Sequence, residues 1–336
     1  MGDQATHFID AVRSAAADKR QLTLVGEGSK APFPACGDAL AVAEHAGVVD
    51  YRPEELVLTA RGGTPLADIQ SELGQCRQEL PFEPPMLEGK GTLGGAVATG
   101  WSGPGRPWRG AVRDAVLGVE MINGLGERLV FGGQVMKNVA GYDLSRLQTG
   151  AWGSLGILLS VSVRLNPQPQ LERTCRLACG ATEALAWMRE WARRFSPISA
   201  TCFAGGVLHV RLSGMAESVQ AAASRIGGEQ SQDSSLWQAL RDRALPMFRS
   251  EDQGDAELWQ INCAPAAELP TGPCLVEWGG ARRWWRTNEP PSAVCAYAAE
   301  AGGVALPAGA APSFQTPLMM RLKQAFDPQA VFNPHL

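Results

Sequence analysis

A glycine-rich run at residues 88–100, EGKGTLGGAVATG, narrows the choice of fold more than any other stretch of the chain. Its Gly-Lys pair suggests a nucleotide-triphosphate loop, but Pro84 stands where that motif requires its first glycine and Gly91 where it requires Ser or Thr. Because glycine carries no Cβ, the run lets the backbone approach a flat or anionic group very closely. Leu93 and Val97 provide apolar anchors, which disfavours a simple flexible loop.

A second glycine loop at residues 26–31, GEGSKA, directly follows the predicted strand Leu22–Val25. It matches the G-x-G-x-x-[GA] dinucleotide fingerprint, but that motif must open a helix whose N-terminal N–H groups hold the pyrophosphate. Pro32 and Pro34 follow at once and push the residues before them away from helical angles. We therefore reject a Rossmann fold and predict an anion-binding nest of backbone N–H groups, with a plain structural turn as the alternative.

A third glycine-rich run at residues 150–157, GAWGSLGI, predicts a double turn that leads into a strong strand at 156–165. Just before it, Asp143 is the predicted N-cap of a short helix. Each of the three runs abuts a predicted strand. We expect them to fold together into one composite site that presents many backbone N–H groups to one extended, doubly charged ligand.

Length and composition exclude several classes of protein. The 336 residues suggest about two domains, and no apolar window approaches the ~18 residues of a membrane span, so we expect no transmembrane segment. The net charge of −4 offers no basic field for a phosphate backbone, so nucleic acid is not an expected partner. The eight Cys and four His show no metal-ligand spacing, which predicts no metal and free thiols in a reducing cytosol.

The proline-rich segment at residues 166–169 is the predicted domain boundary. We assign residues 1–168 to a first domain and 169–312 to a small second domain for substrate or partner docking. Residues 313–336 are a C-terminal helix and tail that return to the first domain. In the second part, strands and helices alternate in a way that predicts an antiparallel sheet covered by helices on one face.

The three runs follow one another along the chain at 26–31, 88–100 and 150–157, with Pro84-Pro85 just ahead of the run at 88–100. This order resembles the FAD-binding fold of the vanillyl-alcohol oxidase and p-cresol methylhydroxylase group. Residues 100–118 and 131–147 resemble more closely the FAD-binding subunits of bacterial glycolate oxidase (glycolate dehydrogenase). The resemblance is dense over 20–168, thin over 170–310, and returns at 323–334. It implies an α+β fold, with a two-part FAD-binding domain of the p-cresol methylhydroxylase type and a smaller ferredoxin-like α+β second domain.

The resemblance also implies which residues contact FAD. The pyrophosphate would lie against Gly26, Glu27, Gly28, Ser29 and Lys30, and against Thr92, Gly94, Gly95, Ala98 and Thr99. The flavin or adenine would lie against Pro85, Gly153, Gly156 and Ile157. Family members that link FAD covalently use a His in the first loop, and none stands there. We therefore expect dissociable, non-covalent FAD.

The resemblance places the chain in a hetero-oligomer with a larger FAD-containing catalytic subunit and an iron–sulfur subunit, in the cytoplasm and peripheral at the inner membrane through that complex. Catalytic flavoproteins of this fold carry an H-x-x-G-D-G-N-x-H stretch in the second domain. Residues 170–310 of this chain contain a single histidine, His209, and no such stretch. We therefore expect electron transfer or a supporting role, with a small hydroxy acid handled indirectly, and assign no catalytic residue. The alternatives are a self-sufficient FAD-dependent hydroxy-acid or sugar oxidase, and a structural subunit with a vestigial flavin site.

Two arginine-rich segments each allow more than one function. Arg106, Arg109 and Arg113 lie beside Trp101 and Trp108 and could neutralise reduced flavin or a bound acid, or form a solvated surface. The segment at 282–286, RRWWR, could hold an anion, form a solvated strand or contact a partner. Three further residues could approach the flavin edge: Lys137, Asn138 and Tyr142.

Overall fold

The computed structural model describes residues 3–30, 37–134, 143–192, 197–249, 256–310 and 316–333. The chain divides into two compact units. Unit 1 takes the described residues within 1–102, 111–168 and 311–336, and unit 2 takes those within 103–110 and 169–310. Residues 103–110 thus differ from the expected division. They belong to unit 2 because Trp278 Nε1 donates to the Gly103 carbonyl at 3.1 Å and Arg109 donates to Ser213 Oγ at 2.9 Å.

Unit 1 is built on a five-stranded antiparallel sheet with two small two-stranded sheets beside it. Its strands in the described residues are β1 Leu22–Val25, β2 Asp38–Ala41, β3 Val48–Arg52, β4 Val57–Arg61, β5 Gln78–Glu79, β6 Val116–Ile122, β7 Arg128–Gly132, β8 Ile157–Arg164 and β9 Asn166–Pro167. The main sheet has the order β3-β4-β8-β6-β7, β1 pairs with β2 in parallel, and β5 pairs with β9. Strands β6 and β7 form an antiparallel hairpin, and the predicted strong strand is confirmed as β8.

The helices of unit 1 pack apolar side chains against these sheets. They are α1 Ala5–Ala17, α2 Leu66–Gln75, α3 Leu93–Thr99, α5 Val112–Ala115, α6 Leu144–Leu147 and α11 Pro317–Phe326, while α4 Arg106–Arg109 belongs to unit 2. Within the described residues, no helix has both the length and the apolar character that crossing a bilayer requires. Asp143 is confirmed as the N-cap of α6, because its carboxylate accepts from Arg146 N at 3.2 Å.

Helix α3 forms in a glycine-rich stretch, although each glycine inside a helix costs about 1 kcal/mol of helix stability relative to alanine. Thr92 caps it by accepting from Gly95 N at 3.1 Å. Leu93, Ala96 and Val97, spaced i, i+3 and i+4, are fully buried in the core of unit 1. Burial of this face outweighs the poor helix propensity.

Unit 2 is an eight-stranded antiparallel sheet with helices. Its strands are β10 Leu171–Ala178, β11 Ile198–Ala204, β12 Val207–Gly214, β13 Glu229–Ser231, β14 Glu257–Asn262, β15 Cys274–Glu277, β16 Arg282–Thr287 and β17 Val304–Pro307. The remaining helices are α7 Ala181–Ala192, α8 Ala216–Ile226, α9 Ser235–Arg241 and α10 Pro291–Glu300. The order across the sheet is β13-β10-β12-β11-β15-β16-β14-β17.

This order shows two ferredoxin-like halves in one sheet. The first half, β10-α7-β11-β12-α8-β13, has the spatial order fourth, first, third, second strand. The second half consists of β14, β15, β16, α10 and β17, with a loop in place of its first helix. Its strands lie in the reverse spatial order: second, third, first, fourth. The two halves join where β11 pairs with β15. The ferredoxin-like expectation is confirmed, and the structure adds the duplication.

Candidate functional site

The first two glycine-rich runs meet in unit 1. The Gly91 N–H donates to the Glu27 carboxylate. A Cβ added to Gly26 would lie 3.2 Å from Thr92 Oγ1, and one added to Gly91 would lie 3.1 Å from Lys30 Nζ. The loop after β1 therefore lies directly against the segment that opens α3.

Helix α3 is held at this place by backbone contacts that leave no room for larger residues. Gly94 N donates to the Gly62 carbonyl at 2.7 Å, and Leu93 N donates to the Thr64 carbonyl at 2.9 Å. A Cβ on Gly94 would come within 2.8 Å of that Gly62 oxygen. Thr99 Oγ1 at the far end of the helix donates to the Gly95 carbonyl at 2.9 Å. The glycines therefore serve close backbone packing as well as access to a ligand.

The third run closes onto the other end of α3. Gly150 N donates to the Val97 carbonyl at 3.0 Å, and Trp152 N donates to the Ala98 carbonyl at 2.8 Å. Gly156 cannot be replaced without strain, because its φ is +149° and an added Cβ would lie 2.3 Å from the Ile122 carbonyl. Pro85 lies at the opposite, N-terminal end of α3: its carbonyl is 3.6 Å from the Cβ position of Gly91.

Asn333, in the C-terminal tail, ties this third run to β1. Its Nδ2 donates to the Trp152 carbonyl at 2.5 Å, and its Oδ1 accepts from Leu24 N at 3.4 Å. A Cβ on Gly153 would lie 3.1 Å both from Asn333 Nδ2 and from Leu24 Cδ1. Asn333 is not among the predicted site residues, although it lies in the segment at 323–334 where the family resemblance returns.

A buried ion pair anchors the tail that carries Asn333. Lys323 Nζ donates to the Asp327 carboxylate and to the Ser154 carbonyl, both at 2.7 Å. Asp327 also accepts from Val331 N and Phe332 N at 2.9 Å. Burial lowers the pKa of Lys323, whereas the bond to Asp327 raises it.

The expected convergence of the three runs is thus confirmed within unit 1. The loop after β1 keeps the properties that a diphosphate needs. Among the described residues, the backbone N–H groups of Gly26, Gly28 and Ser29 find no hydrogen-bond acceptor. Gly28 has a φ of +73°, and nothing lies within 4 Å of the position of its missing Cβ. Open space, unengaged N–H groups and the Lys30 cation fit the diphosphate of FAD.

The three arginines of the predicted cluster fall in different units: Arg113 lies in unit 1, and Arg106 and Arg109 lie in unit 2. The guanidinium carbon of Arg106 lies 4.6 Å from the ring centroid of Trp278.

The interpretation of residues 282–286 as a solvated strand is wrong, because most of this segment is buried. Arg283 is fully buried and donates to backbone carbonyls of Ala267 and Glu268, and Arg286 is 7% exposed and donates to the carbonyl of Ala256 at 2.8 Å. These two arginines hold loops in place.

Arg282 lies on the other side of that strand from Arg283, and its guanidinium stacks on Trp278. It is paired with the buried carboxylate of Glu277 at 3.6 Å. Burial lowers the pKa of Arg282 to about 9, with Arg243 and Arg106 adding to the effect and Glu277 opposing it. Burial likewise raises the pKa of Glu277. The three residues proposed for the flavin edge, Lys137, Asn138 and Tyr142, lie outside the described residues.

Comparison with known proteins agrees with this site. A family model described as an FAD binding domain matches residues 3–132, which include the first two glycine-rich runs. FAD is therefore the cofactor of this chain. The chain is also similar to alkyldihydroxyacetonephosphate synthase, with a TM-score of 0.70 over 99% of this chain and 76% of that one. At 13% identity, this likeness shows the fold alone, the p-cresol methylhydroxylase type.

Curated relatives define the family. The chain is 41% identical to glycolate oxidase subunit GlcE of Escherichia coli K12 over 99% of this chain and 97% of that protein. It is 31% identical to glycolate oxidase subunit GlcD of Bacillus subtilis, but only over 38% of this chain and 27% of that protein. The chain matches GlcE over almost its full length and GlcD over only part of it, so it is a subunit of the GlcE type. The chain belongs to the GlcE family of glycolate oxidase subunits, which are FAD-dependent oxidoreductases acting on CH–OH groups.

Proposed function

We propose that this chain is the FAD-binding subunit of a glycolate (2-hydroxy acid) dehydrogenase in which it relays electrons or supports the complex. Its partners are a larger FAD-containing catalytic subunit and an iron–sulfur subunit. The complex works in the cytoplasm, peripheral to the inner membrane. The single observation that carries the proposal is the convergence of three glycine-rich runs around α3, which suits the long, doubly charged FAD molecule.

FAD is held without a covalent bond in this proposal. The N–H groups of Gly26, Gly28 and Ser29, with the Lys30 ammonium, bind the diphosphate. The small residues along α3 and the turn at Gly153 let the ring systems approach the backbone. Residues 26–30 offer no histidine for a covalent link. When bound, FAD supplies the capacity to accept and pass on electrons, and the chain supplies binding and orientation.

A relay or supporting role is favoured over substrate oxidation because proton abstraction from a hydroxy acid needs a positioned base. The one histidine of residues 170–310, His209, lies within β12, where it pairs across the sheet with Arg176 and Cys202. Burial and the Arg176 charge lower its pKa. Such a residue packs within a sheet, which suits a structural role.

The test is a visible absorption spectrum of the chain expressed alone, recorded before and after anaerobic addition of glycolate. We expect flavin bands, release of the flavin into the filtrate on denaturation, and no bleaching by glycolate. Bleaching would instead support a self-sufficient oxidase. A colourless protein that takes up no added FAD would support a vestigial site and refute flavin binding.

A further inference from the structure

Unit 1 carries a largely apolar groove beside the third glycine-rich run, and Gly150, Ala151, Ser154 and Leu155 of that run line it. Its volume is about 900 Å³, within the ~300–1,000 Å³ that binding sites commonly have. Eight apolar side chains line it: Leu147, Ala151, Leu155, Met319, Met320, Leu322, Pro328 and Ala330. They come from α6, the turn before β8, α11 and the tail after it, so the groove runs along one side of the C-terminal helix.

The outer face of α11 is unusually exposed for its composition. Leu318 is 67% exposed, Met319 38% and Met320 62%. They are the only three consecutive large apolar residues at this exposure among the described residues. A contiguous exposed apolar surface beside a groove is typical of an interaction site, and methionine side chains adapt readily to a partner.

The polar groups of the groove are incompletely matched. Thr149 Oγ1 is buried in its wall and finds no hydrogen-bond partner among the residues that the structure describes. Three cationic side chains line the groove, Arg113, Arg146 and Lys323, against two carboxylates: Asp143 pairs with Arg146 at 3.2 Å and Asp327 pairs with Lys323 at 2.7 Å. Arg321 adds a further cation on α11, a helix with no acidic residue. The rim is therefore basic and favours an acidic counterpart.

We propose that this groove and the exposed face of α11 form the docking surface for an apolar segment with acidic flanks from the larger flavoprotein subunit. Membership in a family of subunits requires that some surface of the chain be covered in the complex, and this one combines concavity, apolar area and uncompensated charge. The geometry matches the recognition of an amphipathic helix by a groove. The identity of the partner rests on the function proposed above.

The test is the dissociation constant between the full-length chain, loaded with FAD, and the purified larger subunit, measured with the variant Met320→Lys. We expect at least about tenfold weaker binding, the scale of an interface hot spot. The matched control is Val130→Lys, because Val130 is also exposed (68%) but lies on β7. It should change binding by less than about twofold. Arg113→Glu should also weaken binding and reduce its dependence on salt.

The outcomes separate this inference from the proposed function. Retained flavin absorbance in each variant shows that the fold and FAD binding are intact. If Met320→Lys loses its flavin, Leu318→Gln replaces it. Unchanged binding in Met320→Lys and Arg113→Glu would overturn the docking surface. Self-association of the isolated chain that Met320→Lys abolishes would overturn it too, because the occupant would then be a second copy.

Discussion

Replacing Gly28 by alanine tests whether the loop after β1 holds the diphosphate. Gly28 has a φ of +73°, so alanine costs about 1–2 kcal/mol of folding free energy through the left-handed backbone alone. The added methyl meets no atom of the described residues within 4 Å. We therefore expect it to take up space that the diphosphate would otherwise occupy. Losing one charge-assisted hydrogen bond to the diphosphate costs about 1.5–3 kcal/mol, or about 10- to 150-fold in FAD affinity.

Gly206→Ala is the control, because Gly206 has nearly the same backbone φ as Gly28 and similarly open space around its Cβ position. Gly206 has a φ of +77°, lies in the β11–β12 hairpin of unit 2, and has open space at its Cβ position. Both variants should lose similar stability in urea unfolding. Only Gly28→Ala should weaken FAD binding, measured by quenching of flavin fluorescence during titration of the apoprotein. Equal FAD affinity in Gly28→Ala and the native chain, with the stability loss present in both variants, would refute the placement of the diphosphate.

Three further predictions concern the groups that hold unit 1 and the histidines. Asp327→Asn should cost about 1.5–3 kcal/mol, because it removes the carboxylate from the partly buried Lys323 ammonium, and a urea midpoint unchanged from the native chain would contradict this. Gly156→Ala should cost about 3 kcal/mol by the same measurement, since its Cβ would clash with a backbone carbonyl 2.3 Å away. Burial lowers the folded-state pKa values of His45 and His209 below their usual 6.5, so the unfolded chain binds more protons below that pH. Stability should therefore fall as the pH drops from 6.5, by at most about 1.4 kcal/mol per pH unit for each histidine, and His209→Asn should reduce the slope of unfolding free energy against pH.

The sequence was sufficient where the signal is local. Glycines at positive φ, prolines that forbid a helix after residue 30, and alternation of apolar residues in β8 follow from steric rules that act within a few residues. These features predicted the loop after β1, the turn before β8 and the exclusion of a Rossmann fold. The N-cap role of Asp143 is local in the same sense, because its partner is Arg146, three residues away.

Tertiary structure alone decided the features that depend on distant partners. Helix α3 forms because its apolar face is buried against the core, which no glycine count reveals. The division of Arg106 from Arg113 depends on which unit each side chain packs in, and the duplicated ferredoxin-like halves are related by strand order without a detectable sequence repeat. Asn333 reaches Trp152 across 181 residues of chain. Local steric preferences are written in short stretches of sequence, but burial and charge pairing depend on which distant segments meet.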